Sequence, residues 1–417
     1  MSSVNKVWLF LTDLHGILRG KLIPLPNKYL SSIEALQCEF SGVYGTNDLT
    51  DRPIPDFKAI ETVNVVAVPF SDGVQSPWDP TEVYYMCNAF VNEDCTKSSK
   101  LCPRTLLANA IKEFEQLGYR MKCGIELEWT LLKNDKPVLG SLQTYSMLHY
   151  ENSDIQAFLS QLIDKTSGFP VTIEALHAES GKSVFEASLS PADPLKVTDA
   201  VQLFRMTIRR LAKEYAMNAT FMPKPFPDSA GCGMHVHMSI SKLEGTPSKD
   251  VLFSSFLAGL LYHMDSSAVL LLPNANSFRR LSSGEFWTSD TISYGIDCRM
   301  DAVRLVHHES TSGSARIELR IAGGDVNPYL ALFYCIKAGM WGIENELDLE
   351  TIGSPGKKIK SLPKTLREAS MLFMKKDSPA RELYGDDFVD HYGQQRLHEA
   401  TISETLPRPE GWEKGTF

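Results

Sequence analysis

The feature that most constrains this chain is a set of four short stretches in which charged side chains alternate with apolar ones. The first is Gly124-Ile-Glu-Leu-Glu-Trp129. If it forms a strand, the twofold side-chain period places Glu126 and Glu128 side by side on one face. Carboxylates that close repel, so a cation must sit between them or one must take up a proton. Taken alone, the pair also fits an edge strand with its polar face in water. Three further stretches shift the balance. Ile173-Glu-Ala-Leu-His-Ala-Glu179, followed by Glu186, offers acids at 174, 179 and 186 and a histidine at 177. Gly231-Cys-Gly-Met-His-Val-His-Met-Ser239 places His235, His237 and Ser239 on one strand face, and Arg316-Ile-Glu-Leu-Arg320 alternates Arg, Glu and Arg. A charged strand face is costly in a packed interior unless it lines a binding site. Four of them imply one concave charged surface, with carboxylates and imidazole holding cations and arginines holding anions.

Oxygen-rich ligation with an occasional imidazole suits magnesium or manganese better than a structural zinc site. Glu126, Glu128, Glu179, Glu186, His235 and Glu318 together match the inventory that two divalent ions about 4 Å apart require for phosphoryl transfer. Arg280, Arg299, Arg304, Arg316 and Arg320 are available to neutralise the transferred group's oxygens. Singly, each arginine fits a surface or salt-bridge residue as well. Arg316 and Arg320 are exceptions because they bracket Glu318. Gly231 and Gly233 just ahead of His235 let main chain approach a ligand closely. Gly181-Lys-Ser183 mimics the end of a phosphate-binding loop, but that loop's first glycine would fall at Leu176, so no such loop is present.

At 417 residues the chain is long enough for two domains. The formal charge of -9 argues against an unspecific grip on nucleic acid or on an anionic membrane. Eight cysteines without a CxxC spacing read as free thiols in a reducing compartment. The apolar run around Ala268–Leu272 is far too short to span a bilayer, and no secretory signal precedes the first expected strand, so a cytoplasmic protein is expected. Strands are expected over Val7–Leu11, Gly20–Ile23, Val63–Val68 and Val83–Phe90, with a short helix over 29–40 and a long loop over 41–57. A polar segment, Asn92–Lys100, separates this N-terminal domain, residues 1–95, from a catalytic domain, 96–417. Helices are expected from Pro103 to about Leu117, over Asp154–Thr166, up to about 214 with Asp193 or Thr198 as cap, over 250–267 and from Pro328 to about Asn345. A loop follows Ser354, and a partly helical tail begins near Ala380. The class is α+β, with a sheet antiparallel in good part.

The ordered blocks Glu126-Leu-Glu128, His177-Ala-Glu179 with Glu186, Gly231 to His237, Asn276-Ser-Phe-Arg-Arg-Leu281 and Arg316 to Arg320 leading into Asn327-Pro-Tyr-Leu330 resemble the glutamine synthetase family over nearly the whole chain. The resemblance implies a beta-grasp N-terminal domain carrying Asp13-Leu-His-Gly-Ile-Leu-Arg-Gly-Lys21, and a catalytic domain with a curved, mainly antiparallel sheet flanked by helices. It implies a homo-oligomeric ring with active sites between subunits, and ATP with Mg2+ or Mn2+ as cofactors. Glu128, Glu179 and Glu186 would hold one metal, and Glu126, His235 and Glu318 the other. The nucleotide would lie near Glu174, His237, Ser239 and Arg316. Arg280, Arg299 and Arg320 would face the acid substrate, Arg304 the transferred phosphate, and Gly231 the substrate loop.

Departures from the family pattern cluster on the ammonia side. The register of the flap glutamate that handles ammonium gives Phe286, with Trp287 after it and Glu285 one residue early. The family's asparagine before the substrate-loop glycine is Ala230, its glycine- and glutamine-containing turn is Lys182-Ser-Val184, and a nucleotide-side lysine falls at Gly313. Residues 41–48 lack the Asp-Gly-Ser-Ser signature. The expected activity is therefore ATP-dependent formation of a gamma-glutamyl amide from a glutamate-like acid and an organic amine, through an acyl phosphate. Ordinary glutamine synthesis from ammonia, or a structural or regulatory member with little catalysis, stay open as alternatives. Phe40 and Tyr44 are expected to offer the amine an apolar surface across the subunit interface.

Overall fold

The computed structural model describes residues 4–25, 36–243, 252–282, 288–306 and 316–405. Two sheets organise it. The N-terminal one has six strands: Leu18–Pro24, Lys6–Thr12, Glu82–Phe90, Val65–Pro69 and Cys38–Phe40 in that order, with Val74–Gln75 added to Glu82–Phe90. Its opening hairpin pairs Val7 with Ile23 and Leu9 with Lys21, while Lys6–Thr12 runs parallel to Glu82–Phe90. The expected helix over 29–40 is corrected where it can be seen: Cys38–Phe40 is a strand, paired with Val65–Ala67, and residues 29–35 lie outside the described residues. Within the expected loop, Gly42–Gly45 forms a single 3-10 turn.

The second sheet has nine strands, with the order Ile173–Ala178, Val184–Ala192, Tyr119–Lys133, Met234–Lys242, Arg316–Leu319, Val303–Val306, Tyr294–Ile296, and with Asn218–Thr220 and Lys136–Pro137 added to the long central strand. All its pairings are antiparallel except that of Tyr294–Ile296 with Val303–Val306. The central strand shows why the alternation matters. Its odd positions, Met121, Cys123, Ile125, Leu127, Trp129 and Leu131, are all buried. Each large apolar side chain so buried contributes about 1.5–3 kcal/mol, and together they oblige the even positions to face the other way, into the concave side.

Helices pack on the convex side. Pro103–Gln116, Ser153–Thr166, Pro194–Glu214, Leu252–His263 and Pro328–Glu344 correspond to the expected ones. The third starts early, with Pro194 at its first turn; Asp193 stands at the cap position without bonding through its side chain, and Thr198 lies inside the helix, donating to the Pro194 carbonyl at 2.8 Å. Leu366–Met374 is a helix inside the segment expected to be loop, and Asp386–Thr405 extends the tail. Asn327 joins the two sheets. Its side-chain oxygen caps Pro328–Glu344 by accepting from Tyr329 N and Leu330 N, and its Nδ2 donates to the Asp13 carbonyl at 2.9 Å. Among the described residues no helix is long and apolar enough to cross a membrane, and all eight cysteines are free thiols. Phe40 and Tyr44 are 8% and 5% exposed and pack in the N-terminal core with Val7, Leu9 and Ala67. They are covered by their own chain, which corrects the expectation that they face an amine.

Candidate active site

Strand register assembles the charged faces. Glu186 stands opposite Glu128, and Ser188 opposite Glu126, on one side of the central strand. On its other side His235 stands opposite Glu126 and His237 opposite Gly124. His237 in turn faces Glu318, and Glu318 faces Arg304. Further out, His177 faces Glu186. Residues far apart in the chain thus form one continuous polar patch.

Two chambers open onto this patch. One, of about 590 Å³, is lined by Glu128, Glu179, Glu186 and His235, and also by Arg280, Arg299, Arg320, Ala230 and Gly231. The other, of about 800 Å³, is lined by Glu174, His237, Ser239 and Arg316. Glu126, Ala175 and Ser188 belong to both walls. Arg304 lines neither; it pairs with buried Glu318 at 3.0 Å and approaches Asp297 at 3.5 Å. Glu285, Phe286, Trp287 and Gly313 lie outside the described residues.

The repulsion expected between neighbouring carboxylates is resolved by both routes at once. His235 Nδ1 lies 3.0 Å from one oxygen of Glu126, and His237 Nε2 3.1 Å from the other. Burial opposes ionisation of Glu126, yet these two imidazoles outweigh it and hold the carboxyl below the usual carboxylate range. Burial likewise works against Glu318, which is overcome by the charges of His235, Arg320 and His237, so its carboxyl is also held low. Arg320 forms a close ion pair with it. Glu186 has a more distant partner, the His177 imidazole, whose Nε2 lies 3.5 Å from its Oε1. Burial, and then the charges of Glu126, Glu128 and Glu179, push its carboxyl up to about 10.

A divalent cation fits this donor set. Glu126, His235 and Glu318 form one group of donor atoms lying within 4.8 Å of one another, and Glu128, Glu186 and His235 form a second. His235 Nε2 is buried without a hydrogen-bond partner and lies 4.0 Å from Glu128. The first group coincides with one of the expected metal sets. The second shares Glu128 and Glu186 with the other expected set, whereas Glu179 stands aside, accepting from Thr144 Oγ1 at 3.0 Å and from Ser180 N at 2.9 Å.

The anion-binding side is equally built. Arg280 is buried, and its guanidinium donates to the carbonyls of Ile321 and Ala322 at 3.2 and 3.4 Å. Arg299 is exposed at the rim. Arg316 Nε donates to His237 Nδ1 at 3.2 Å. Gly231 admits no side chain, because a Cβ there would lie 1.8 Å from the Pro223 carbonyl oxygen. In the Lys182-Ser-Val184 turn, Ser183 takes up a φ of 56° and its Oγ donates to the Leu139 carbonyl at 2.9 Å. Sequence reasoning missed Thr144 and Tyr145, which line the first chamber. The Tyr145 ring meets His177 edge-on at 4.7 Å and is 60% exposed. They sit in a loop, where no periodicity marks a residue as facing a site.

The family described as "Glutamine synthetase, catalytic domain" matches residues 100–414. The chain is 28% identical to the glutamate–isopropylamine ligase of Pseudomonas sp, over 100% of this chain and 95% of that one. It is 29% identical to type-1 glutamine synthetase 2 of Dictyostelium discoideum, over 93% and 79% of the two chains. A solved structure described as a novel glutamine synthase homolog superposes with a TM-score of 0.83 at 23% identity, covering 97% of this chain and 96% of that one. With a family match across three quarters of its length and that family's fold, the chain belongs to the glutamine synthetase family of ATP-dependent carbon–nitrogen ligases.

Proposed function

We propose that this protein is a glutamate–amine ligase that phosphorylates the side-chain carboxylate of glutamate, or a close analogue, with ATP and passes the acyl group to an organic amine. The observation that carries this reading is the shared wall: two chambers meeting at Glu126, one edged with arginines and the other with His237, Ser239 and Arg316. The 800 Å³ chamber takes the nucleotide and the 590 Å³ chamber the acid. Glu126, His235 and Glu318 would hold one Mg2+ or Mn2+, and Glu128 and Glu186 with Glu179 the other. Bound there, the ions would neutralise phosphate oxygens and make the transferred phosphorus easier to attack.

The chain's own groups do the rest. Arg280, Arg299 and Arg320 orient the acid through its carboxylates, and Arg304, behind Glu318, is placed to meet charge that develops on the phosphoryl group. Gly231 brings main chain against the acid. The Tyr145–His177 pair borders the place where the acceptor enters, so the acceptor's carbon tail lies on an aromatic edge. An organic acceptor is supported by Phe286 in the register of the ammonium-handling glutamate, by Ala230, and by the likeness to a ligase named for isopropylamine. The similar identity to a glutamine synthetase keeps ammonia as the competing acceptor. A ring in which a neighbour's N-terminal domain closes the chambers would exclude the water that hydrolyses acyl phosphates.

Phosphate release measured with ATP, Mg2+, glutamate and a panel of acceptors tests the assignment. Primary amines or polyamines should exceed ammonia in kcat/KM. Ammonia exceeding all of them would make the protein a glutamine synthetase. Tight Mg–nucleotide binding without turnover on any acceptor would point to the structural or regulatory alternative.

A further inference from the structure

The central strand places on the wall of the 800 Å³ chamber one polar residue that the metal and acid sites do not use. Lys122, Gly124, Glu126 and Glu128 share its open face, since Met121, Cys123, Ile125 and Leu127 are all buried on the other. Lys122 lines the 800 Å³ chamber, directly opposite Ser239 on the neighbouring strand. Among the described residues the only other cation in that lining is Arg316, whose Nε is already committed to His237 at 3.2 Å. Lys122 is exposed, and its side chain has no hydrogen bond or ion pair with any described residue. Between it and Glu126 the open face has only Gly124, where a Cβ would lie 3.5 Å from the Leu189 carbonyl oxygen and 3.8 Å from His237 Cβ.

Lys122 and Glu126 are four positions apart on the strand, about 13 Å at roughly 3.3 Å per residue. Phosphates belong at the carboxylate end, where cations gather, so a nucleoside triphosphate lying over Gly124 brings its base to the Lys122 end. An ammonium group offers three donors and no acceptor, which complements the ring-nitrogen lone pairs of a purine. The resemblance to the family implies a nucleotide-side lysine at a position that is Gly313 in this sequence.

We propose that Lys122 is the base-recognising donor of the nucleotide chamber, a cation supplied from the central strand in place of the missing lysine. This rests on the nucleotide reading above. An exposed lysine would otherwise be solvated and neutral to binding.

Calorimetry on the full chain with Mg2+ separates these, using a non-hydrolysable ATP analogue and inorganic tripolyphosphate, which has no base. Lys122→Met should weaken the ATP analogue at least tenfold and change tripolyphosphate by less than twofold, and Lys122→Arg should recover most of the loss. In turnover the defect should fall on KM for ATP rather than on kcat. An unchanged affinity for the ATP analogue would overturn the proposal, and so would an equal loss for tripolyphosphate, which would mark a phosphate contact. Wild-type protein that fails to bind the ATP analogue would overturn the nucleotide reading as well.

Discussion

Glu318 shows how much one residue can carry at this site. It is fully buried between Arg304 and Arg320 and belongs to one of the two donor groups. Glu318→Ala should cost about 3–5 kcal/mol, because it leaves two cations facing a low-dielectric gap; urea denaturation without metal reads this directly. Glu318→Gln should cost less, since an amide oxygen can still accept from one arginine. Both variants should lose Mg2+-dependent nucleotide binding by at least tenfold, and calorimetry showing wild-type affinity would remove Glu318 from the metal set. Tyr145 makes the opposite case. Its ring is 60% exposed, so Tyr145→Ala should shift stability by no more than about 0.5 kcal/mol. It should nonetheless raise KM for an organic amine severalfold while leaving that for ATP alone, and parallel changes in both would argue against an acceptor wall.

Between the sheets and the tail, whole elements depend on buried polar links. The C-terminal helix Asp386–Thr405 holds the 45–49 segment: His391 Nε2 lies 2.8 Å from the Gly45 carbonyl oxygen, Gln395 Nε2 donates to the Asn47 carbonyl at 3.0 Å, and Glu399 accepts from Leu49 N at 3.0 Å. Burial lowers the His391 pKa to about 4, and burial raises that of Glu399 to about 7. The signs oppose. Below pH 6.5 the unfolded chain takes up a proton that folded His391 refuses, so stability falls on acidification from about 6.5 to 4. Folded Glu399 keeps a proton that the unfolded chain releases above 4.5, so its contribution rises on acidification from about 7 to 4.5. The two partly cancel in wild type. Glu399→Gln removes the second slope, and chemical denaturation between pH 7 and 4.5 should then show a steeper loss of stability toward acid. Asn327→Ala should cost about 2 kcal/mol or more, since it removes a helix cap and leaves the Asp13 carbonyl without its donor.

For the molecule as a whole, the proposed ring is the feature to test. Sedimentation of active protein should give a closed ring, and dilution that breaks the ring should abolish turnover; an active monomer or dimer would refute sites shared between subunits. The aromatic contact across that interface cannot come from Phe40 or Tyr44, which their own core covers. What the sequence by itself determined was local: the twofold period that turns Glu126 and Glu128 to one face, the donor types along four strands, the family blocks, and the helices whose apolar period runs from Pro103 or Pro328. The helix over Leu366–Met374 escaped it, as did the strand at Cys38–Phe40, because short elements carry little periodic signal. Tertiary structure alone decided which strands became neighbours. Register is a long-range property, set when the odd face of the central strand packs into the core. That packing brought Glu186 to one side of Glu128 and His235 to the other side of Glu126, and left Glu186 with the His177 imidazole at 3.5 Å while Glu318 acquired two arginines. It also placed the loop residue Tyr145 against His177, and Lys122 in the lining of the 800 Å³ chamber. Side-chain type is written in a stretch of a few residues, but the partner that sets a carboxylate's charge comes from a distant strand and exists only once the sheet has closed.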